Sequence, residues 1–188
     1  MAPSVHFDFP HDWRVHLLQA PPLIAPVRSF VYPQKIAGEE DALARGALLL
    51  DVHPAAGGNF LATCALGFEG DGPLSGVWSC PNPTELCAVA GGYAYLIDTR
   101  QPERCTHLAL HPVVEVRAVT SHALLLFVGF HSIAAWGADG LAWQSPRVSS
   151  EGITLGAIEG DTLHGMGWDL MTDKEVEFAL DLRGGVAI

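Results

Sequence analysis

The sequence predicts an all-β fold of antiparallel sheets, with blade-like repeats of about 40 residues and a proline-rich N-terminal arm. Three observations predict it. The 20 Gly and 13 Pro of the 188 residues are scattered singly and in short turns, which long helices do not tolerate. Short apolar or alternating runs bounded by turn residues recur along the chain. One pattern, an apolar strand, a glycine and an aromatic-containing second strand, occurs three times, with Gly91, Gly129 and Gly167 separated by 38 residues each time.

Residues 1–45 carry six prolines: Pro3, Pro10, Pro21, Pro22, Pro26 and Pro33. Trp13 to Leu18 reads as a short strand. Gln19 to Pro33 reads as extended, because residues before proline avoid the α region. Glu39 to Arg45 is the best helical candidate, about two turns closed by Gly46. From Gly46 onward the signals are β. Ala47–Val52 and Phe60–Leu66 are apolar runs joined through Pro54 and the Gly57-Gly58-Asn59 turn, as in a hairpin. Leu124–Val128 is apolar throughout, as in a strand buried on both faces. Ala138-Asp139-Gly140 is a hairpin turn signal. Glu175–Leu180 alternates, which directs Val176, Phe178 and Leu180 inward.

The three copies begin with Leu86–Gly91, Leu124–Gly129 and Thr162–Gly167. Their second strands are Tyr93–Asp98, Ser132–Gly137 and Val176–Asp181, the third after an insertion from Asp169 to Lys174. Each copy is a small sheet that cannot bury both faces alone, so stacking the copies gives a continuous core. A hydrophobic content of 49% against 16% charged residues suits one sizeable core. The chain is therefore read as a single domain, 1–188, with an arm over 1–45 and a repeat region over 46–188. Closed propellers start at about four blades, so a partial propeller, a two-sheet stack or closure by homo-oligomerisation is expected.

The net charge of −11 opposes nucleic-acid phosphates and anionic membrane surfaces, and the basic residues occur singly. No basic segment followed by an apolar run opens the sequence, and no apolar stretch reaches membrane-spanning length. A soluble, cytoplasmic chain is expected, with neither nucleic acid nor membrane as partner. Cys64, Cys80, Cys87 and Cys105 match no zinc-knuckle spacing and contain no C-x-x-C, so reduced and mostly buried thiols are expected.

The common nucleotide, hydrolase and zincin motifs are missing: no P-loop, no complete G-x-G-x-x-G, no G-x-S-x-G and no H-E-x-x-H. No cofactor is predicted. The nine histidines are dispersed. His107 and His111 could share a strand face and a metal, but structural histidines are the ordinary reading. His131 and Ser132 are adjacent, and on a strand they point to opposite faces. Asp169, Asp173, Glu175 and Glu177 form an oxygen-rich turn that suits a hard cation or paired-carboxylate chemistry. Lys174 in their midst and the missing calcium-loop glycine favour a solvated turn. Trp78, Trp136, Trp143 and Trp168 fall beside glycine-containing turns, where they either pack between sheets or rim a pocket or partner groove.

Arg45–Leu50, Gly76–Pro83, Gly91–Tyr95, Trp136–Trp143 and Gly165–Asp169 together resemble a family of small, uncharacterised bacterial proteins, over about Leu17 to Gly185. That resemblance implies a complete domain and transfers no activity, cofactor or catalytic residue. Gly140-Leu141-Ala142-Trp143 also looks like blades of quinoprotein-type propellers, in which tryptophans dock neighbouring blades. This second likeness implies fold alone.

The resulting expectation is a noncatalytic binding or interaction module with a protein or small-molecule partner. Its candidate surface is Trp78, Trp136, Trp143, Trp168, Asp169, Asp173, His131 and His164. The alternative is an enzyme or divalent-metal protein that uses the carboxylates of 169–177 with a histidine such as His131 or His164.

Overall fold

The computed structural model describes residues 3–24, 26–33, 42–68 and 74–188. Among them there is no α-helix, only the 3-10 turns Ala42–Arg45 and Thr120–His122. The chain forms two compact units, Met1–Pro112 and Val113–Ile188.

The first unit holds two sheets. Its strands are β1 (Ser4–His6), β2 (Trp13–Leu18), β3 (Ser29–Tyr32), β4 (Ala47–Pro54), β5 (Phe60–Ala65), β6 (Gly76–Ser79), β7 (Glu85–Ala90), β8 (Tyr93–Asp98) and β9 (Cys105–His107). Sheet I has the order β2-β4-β5-β3, and β3 joins β5 in parallel. Sheet II is the antiparallel meander β6-β7-β8-β9, with β1 added in parallel to β6.

The second unit also holds two sheets. Sheet III is the meander of β10 (Glu115–Val119), β11 (Leu124–Val128), β12 (Ile133–Gly137) and β13 (Gly140–Gln144). Sheet IV has only β14 (Ile153–Glu159), β15 (Thr162–Asp169) and β16 (Lys174–Asp181).

The proline-rich segment is more than an arm across the sheets. Trp13, Val15 and Leu17 alternate with polar residues, and that face turns into the core as β2 pairs with β4. Ser29–Tyr32 supplies the outer strand of the same sheet. The prolines at 10, 21, 22, 26 and 33 fall outside these strands, where a missing N–H breaks no ladder. Of the expected helix, residues 39–41 lie outside the described residues. Ala42–Arg45 is a 3-10 turn, and Gly46 closes it at φ +95° with its N–H donated to the Leu43 carbonyl, 2.9 Å.

The three repeats are the hairpins β7-β8, β11-β12 and β15-β16; the first two are central pairs of sheets II and III, and the third includes the edge strand β16 of sheet IV. In the first, Gly91 and Gly92 have φ of +56° and +82° and link the paired residues Ala90 and Tyr93. Two consecutive positive φ values are what a type I′ hairpin turn requires. In the third, Gly167 lies inside β15 and has a packing role.

Each unit is a face-to-face sheet pair. In the first, Leu50, Val52, Phe60 and Ala62 of sheet I meet Leu86, Ala88, Tyr95 and Ile97 of sheet II. In the second, Leu124, Leu126, Val128 and Ile133 of sheet III meet Leu155, Leu163 and Leu180 of sheet IV. Full burial of each large aliphatic side chain contributes roughly 1.5–3 kcal/mol. β11 is buried at every residue, as its unbroken apolar run requires.

Ring donors tie the paired sheets together. Trp13 Nε1 donates to the Glu85 carbonyl (3.2 Å), Tyr95 Oη to Ala65 (2.8 Å) and Tyr32 Oη to Pro102 (2.6 Å). In the second unit Trp143 Nε1 donates to the Leu182 carbonyl at 2.7 Å. His122 Nε2 lies 2.9 Å from Asp161 Oδ1, and Arg183 binds the other oxygen. The His122 hydrogen bond, with help from Arg183, holds the Asp161 carboxyl below its ordinary range.

All four cysteines are free thiols, and Cys64, Cys80 and Cys87 are fully buried. Burial raises these three well above the ordinary thiol value of 9.0, and pushes Cys105 up to about 12. A raised thiol stays protonated in the fold when the unfolded chain has already ionised. Its stabilisation is therefore complete below the ordinary value and is lost as pH rises through the folded values. The urea midpoint of the first unit is expected to decline from about pH 9 upward, and a thiol reagent at pH 8 to label the buried cysteines only on unfolding. Rapid labelling of Cys64, Cys80 and Cys87 in the native protein would contradict this burial.

Candidate binding groove

Sheet IV carries the residues that matter most. Along β15, Leu163, Gly165 and Gly167 form the buried face, while His164, Met166 and Trp168 alternate with them and are at least partly exposed. Glycine at 167 has a steric cause: a Cβ there would collide with the Val148 carbonyl oxygen. The bare backbone lets residues 147–150 lie directly on β15.

Ser149 fastens that segment. Its hydroxyl donates to the Gly152 carbonyl (2.5 Å) and accepts the amides of Trp168 (2.8 Å) and Glu151 (3.2 Å). The Ser150 amide donates to the Trp168 carbonyl at 2.7 Å. The Ser149 carbonyl accepts from His131 Nδ1 (3.3 Å) and Arg147 Nε (3.0 Å), which fixes the His131 tautomer with its proton on Nδ1. Between this segment and the sheet lies a groove of about 260 Å³, lined by Arg147, Val148, Ser150, Trp168, Asp169 and Val176 among others.

Beyond the groove is the tip of the β15-β16 hairpin. Asp169 organises it: Oδ1 accepts the Met171 amide and Oδ2 the Thr172 hydroxyl, each at 2.9 Å. Asp173 completes the turn at φ +54°, a left-handed value that Asp tolerates. This turn holds Leu170 and Met171 out in solvent, 70% and 91% exposed. Val176 is 48% exposed. The alternation of β16 was expected to bury Val176 with Phe178 and Leu180. Only Leu180 is fully covered, because Val176 is paired with Gly167 near the open end of the sheet.

Sheet IV and its flanking segment thus bring together Trp168 and Asp169, with Asp173 at the tip, while His131 is tied to the flanking segment through the Ser149 carbonyl and does not line the groove. His164 lies farther along β15, with Nε2 3.9 Å from an exposed Glu159 carboxylate. Trp78, Trp136 and Trp143 do not form a rim, since all three are buried. Trp78 stacks on His6 at 5.1 Å, Trp136 covers Gly140, and Trp143 packs on Gly185. Turn-flanking position is shared by docking and rim tryptophans, so sequence alone does not separate them.

The carboxylates do not converge with a histidine. Both Asp169 oxygens serve the turn, and Glu175 and Glu177 are exposed on β16 opposite Trp168 and Met166. Among the described residues no group of three or more His, Cys, Asp or Glu is placed to hold a metal ion. His107 and His111 pack instead around Tyr93, at 5.0 and 5.2 Å between ring centroids.

No family model and no curated protein matches the chain. Among solved structures, the chain is similar to the crystal structure of the N-terminal domain of Nup159, with 12% identity and a TM-score of 0.38. The match covers 100% of this chain and 53% of that one, so the chain spans about half the length of that structure. The fold given above rests on the strand pairing of the chain itself.

Sequence reasoning missed Ser149, Leu170 and Met171. For the last two a signal was available: adjacent large apolar residues inside the polar turn 169–173. Ser149→Ala would strand two amides and one carbonyl. It is expected to lower the stability of the second unit by about 1–3 kcal/mol in urea unfolding. An unchanged midpoint would contradict the fastening role.

Proposed function

We propose that the chain is a noncatalytic binding module that engages its partner through the groove and hairpin tip of sheet IV. One observation carries this reading: Leu170, Met171 and Val176 stand exposed near Trp168 and a groove in which the Ser149 hydroxyl and the Asp169 carboxylate are already engaged. The Ser149 hydroxyl has spent its proton on Gly152, and the Asp169 carboxylate holds its own turn. What remains to offer is apolar and aromatic surface, the composition of an interface centre. Met adapts to varied partner shapes because its chain is unbranched and its sulfur polarisable.

Several reactive groups of the first unit are also engaged, although Asp12 Oδ1 is buried without a hydrogen-bond partner. Two of the concavities lined by described residues of the first unit measure about 370 and 340 Å³. In one, Asp12 is paired with Arg100 at 2.5 Å, and His53 binds Asp51 at 2.8 Å. In the other, both tyrosine hydroxyls are donated to carbonyls, and Cys105 is a weak acid through burial. The four free thiols support a reducing, cytoplasmic setting, and the charge of −11 supports a partner that is neither nucleic acid nor anionic membrane.

The test places a photo-crosslinking residue at Met171, purifies the captured partner and measures its affinity directly. Leu170→Ser with Met171→Ser is expected to weaken that binding by roughly 10- to 100-fold, with the thermal midpoint unchanged because both side chains are exposed. A partner that binds the double variant as tightly as the parent would overturn the assignment.

A further inference from the structure

Among the described residues sheet IV has three strands where the other sheets have at least four, and β16 is its edge. Part of that edge is taken. The Asp181 amide donates to the Val186 carbonyl (2.9 Å), the Ile188 amide donates to the Ala179 carbonyl (3.1 Å), and Leu180 bridges to Ala187. The C-terminal residues thus begin a fourth strand along Ala179–Asp181.

Among the described residues the remainder of the edge is unpaired, and its polarity follows from strand geometry. Ala179 and Asp181 direct their backbone groups toward the added strand. The β15-β16 register runs without a bulge from Lys174 to Asp181. Residues two apart point their N–H and C=O the same way, so Glu175 and Glu177 present theirs along the same edge. Among the described residues no strand pairs with them there, and Lys174 to Glu177 are all exposed.

The side chains specify what would fit. Glu175 and Glu177 stand on the face of Trp168 and Met166, and Val176 and Phe178 on the other. Resting on the binding-module reading, we propose that this edge takes an extended peptide of alternating basic and apolar residues as a further strand. Its basic side chains lie over Glu175 and Glu177, and its apolar ones over Val176 and Phe178. Main-chain pairing then supplies affinity and the alternation supplies specificity, while opposite charges across neighbouring strands add to both. A second copy of the chain is the poorer occupant. Two β16 edges paired about a two-fold axis would set the glutamates of one against those of the other. The overall charge of −11 favours encounter with a cationic segment.

The test uses an alternating lysine–valine peptide and a scrambled peptide of the same composition, read by residue-resolved amide hydrogen exchange and calorimetry. The alternating peptide is expected to slow exchange at Glu175 and Glu177 by about tenfold or more, and the scrambled one to leave it unchanged. Glu177→Pro removes an edge N–H without touching the β15 ladder and is expected to abolish binding. Glu177→Gln keeps the amide and weakens binding only a few-fold. Glu175→Lys with Glu177→Lys, which needs no proline, is expected to switch preference to a glutamate–valine peptide. Equal protection by the scrambled peptide, unaltered binding in Glu177→Pro, or concentration-dependent protection without peptide would overturn the proposal. If edge amides stay unprotected while Leu170→Ser with Met171→Ser still releases the captured partner, this inference fails and the module reading stands.

Discussion

A sheet stacked face to face must bury its aromatic side chains and still find partners for their polar tips. In both units that requirement is met in one way: a ring N–H or O–H is donated to a backbone carbonyl outside its own strand. Trp13, Tyr32 and Tyr95 do this in the first unit, and Trp143 in the second. Each such bond costs little to form and much to lose, since truncation would strand a buried carbonyl. Apolar burial alone would let two twisted sheets slide, whereas these directional bonds fix their register.

Where that requirement ends, surface is left for the proposed binding. In sheets II and III the central strands are buried along their length, as Cys87, Val89, Leu125 and Phe127 show. Sheet IV pins its inner face to sheet III through Leu163, Leu180 and the Trp143 bond, and leaves its outer face and much of one edge in water. The features that make it a poor packing sheet are the ones the proposed binding would use: the glycine at 167 that admits a flanking segment, the turn that exposes Leu170 and Met171, and the part of the β16 edge that no described strand covers. Natural edge strands are commonly guarded by charge. Glu175 and Glu177 place charge on this edge, and in the proposal above they also select which strand it admits.

The architecture was legible because β signals are local. The glycine-punctuated pattern marked one hairpin in each of three successive sheets, and Trp13–Leu18 and Leu124–Val128 are strands over the expected residues. The N-terminal segment was harder. Its prolines dominate the composition, yet the strand-forming residues lie between them, and β3 pairs with β5 across a separation in sequence that no local pattern reports. The site was half legible. Trp168 and Asp169 were found through their turn, but the role of Asp169 in capping that turn depends on bonds to Met171 and Thr172. The burial of Trp78, Trp136 and Trp143 depends on neighbours supplied by the fold. Val176 shows the converse: its alternation is correct, but its position at an open sheet end leaves it half in water.

Hydrogen exchange of the indole N–H groups tests the central constraint most directly, because each tryptophan reports its own site. The account predicts that Trp13 and Trp143 exchange only when their unit unfolds, at rates that track global stability, while the partly exposed Trp168 exchanges rapidly in the native protein. A Trp143 indole exchanging as fast as that of Trp168 would contradict the claim that these bonds hold the paired sheets in register.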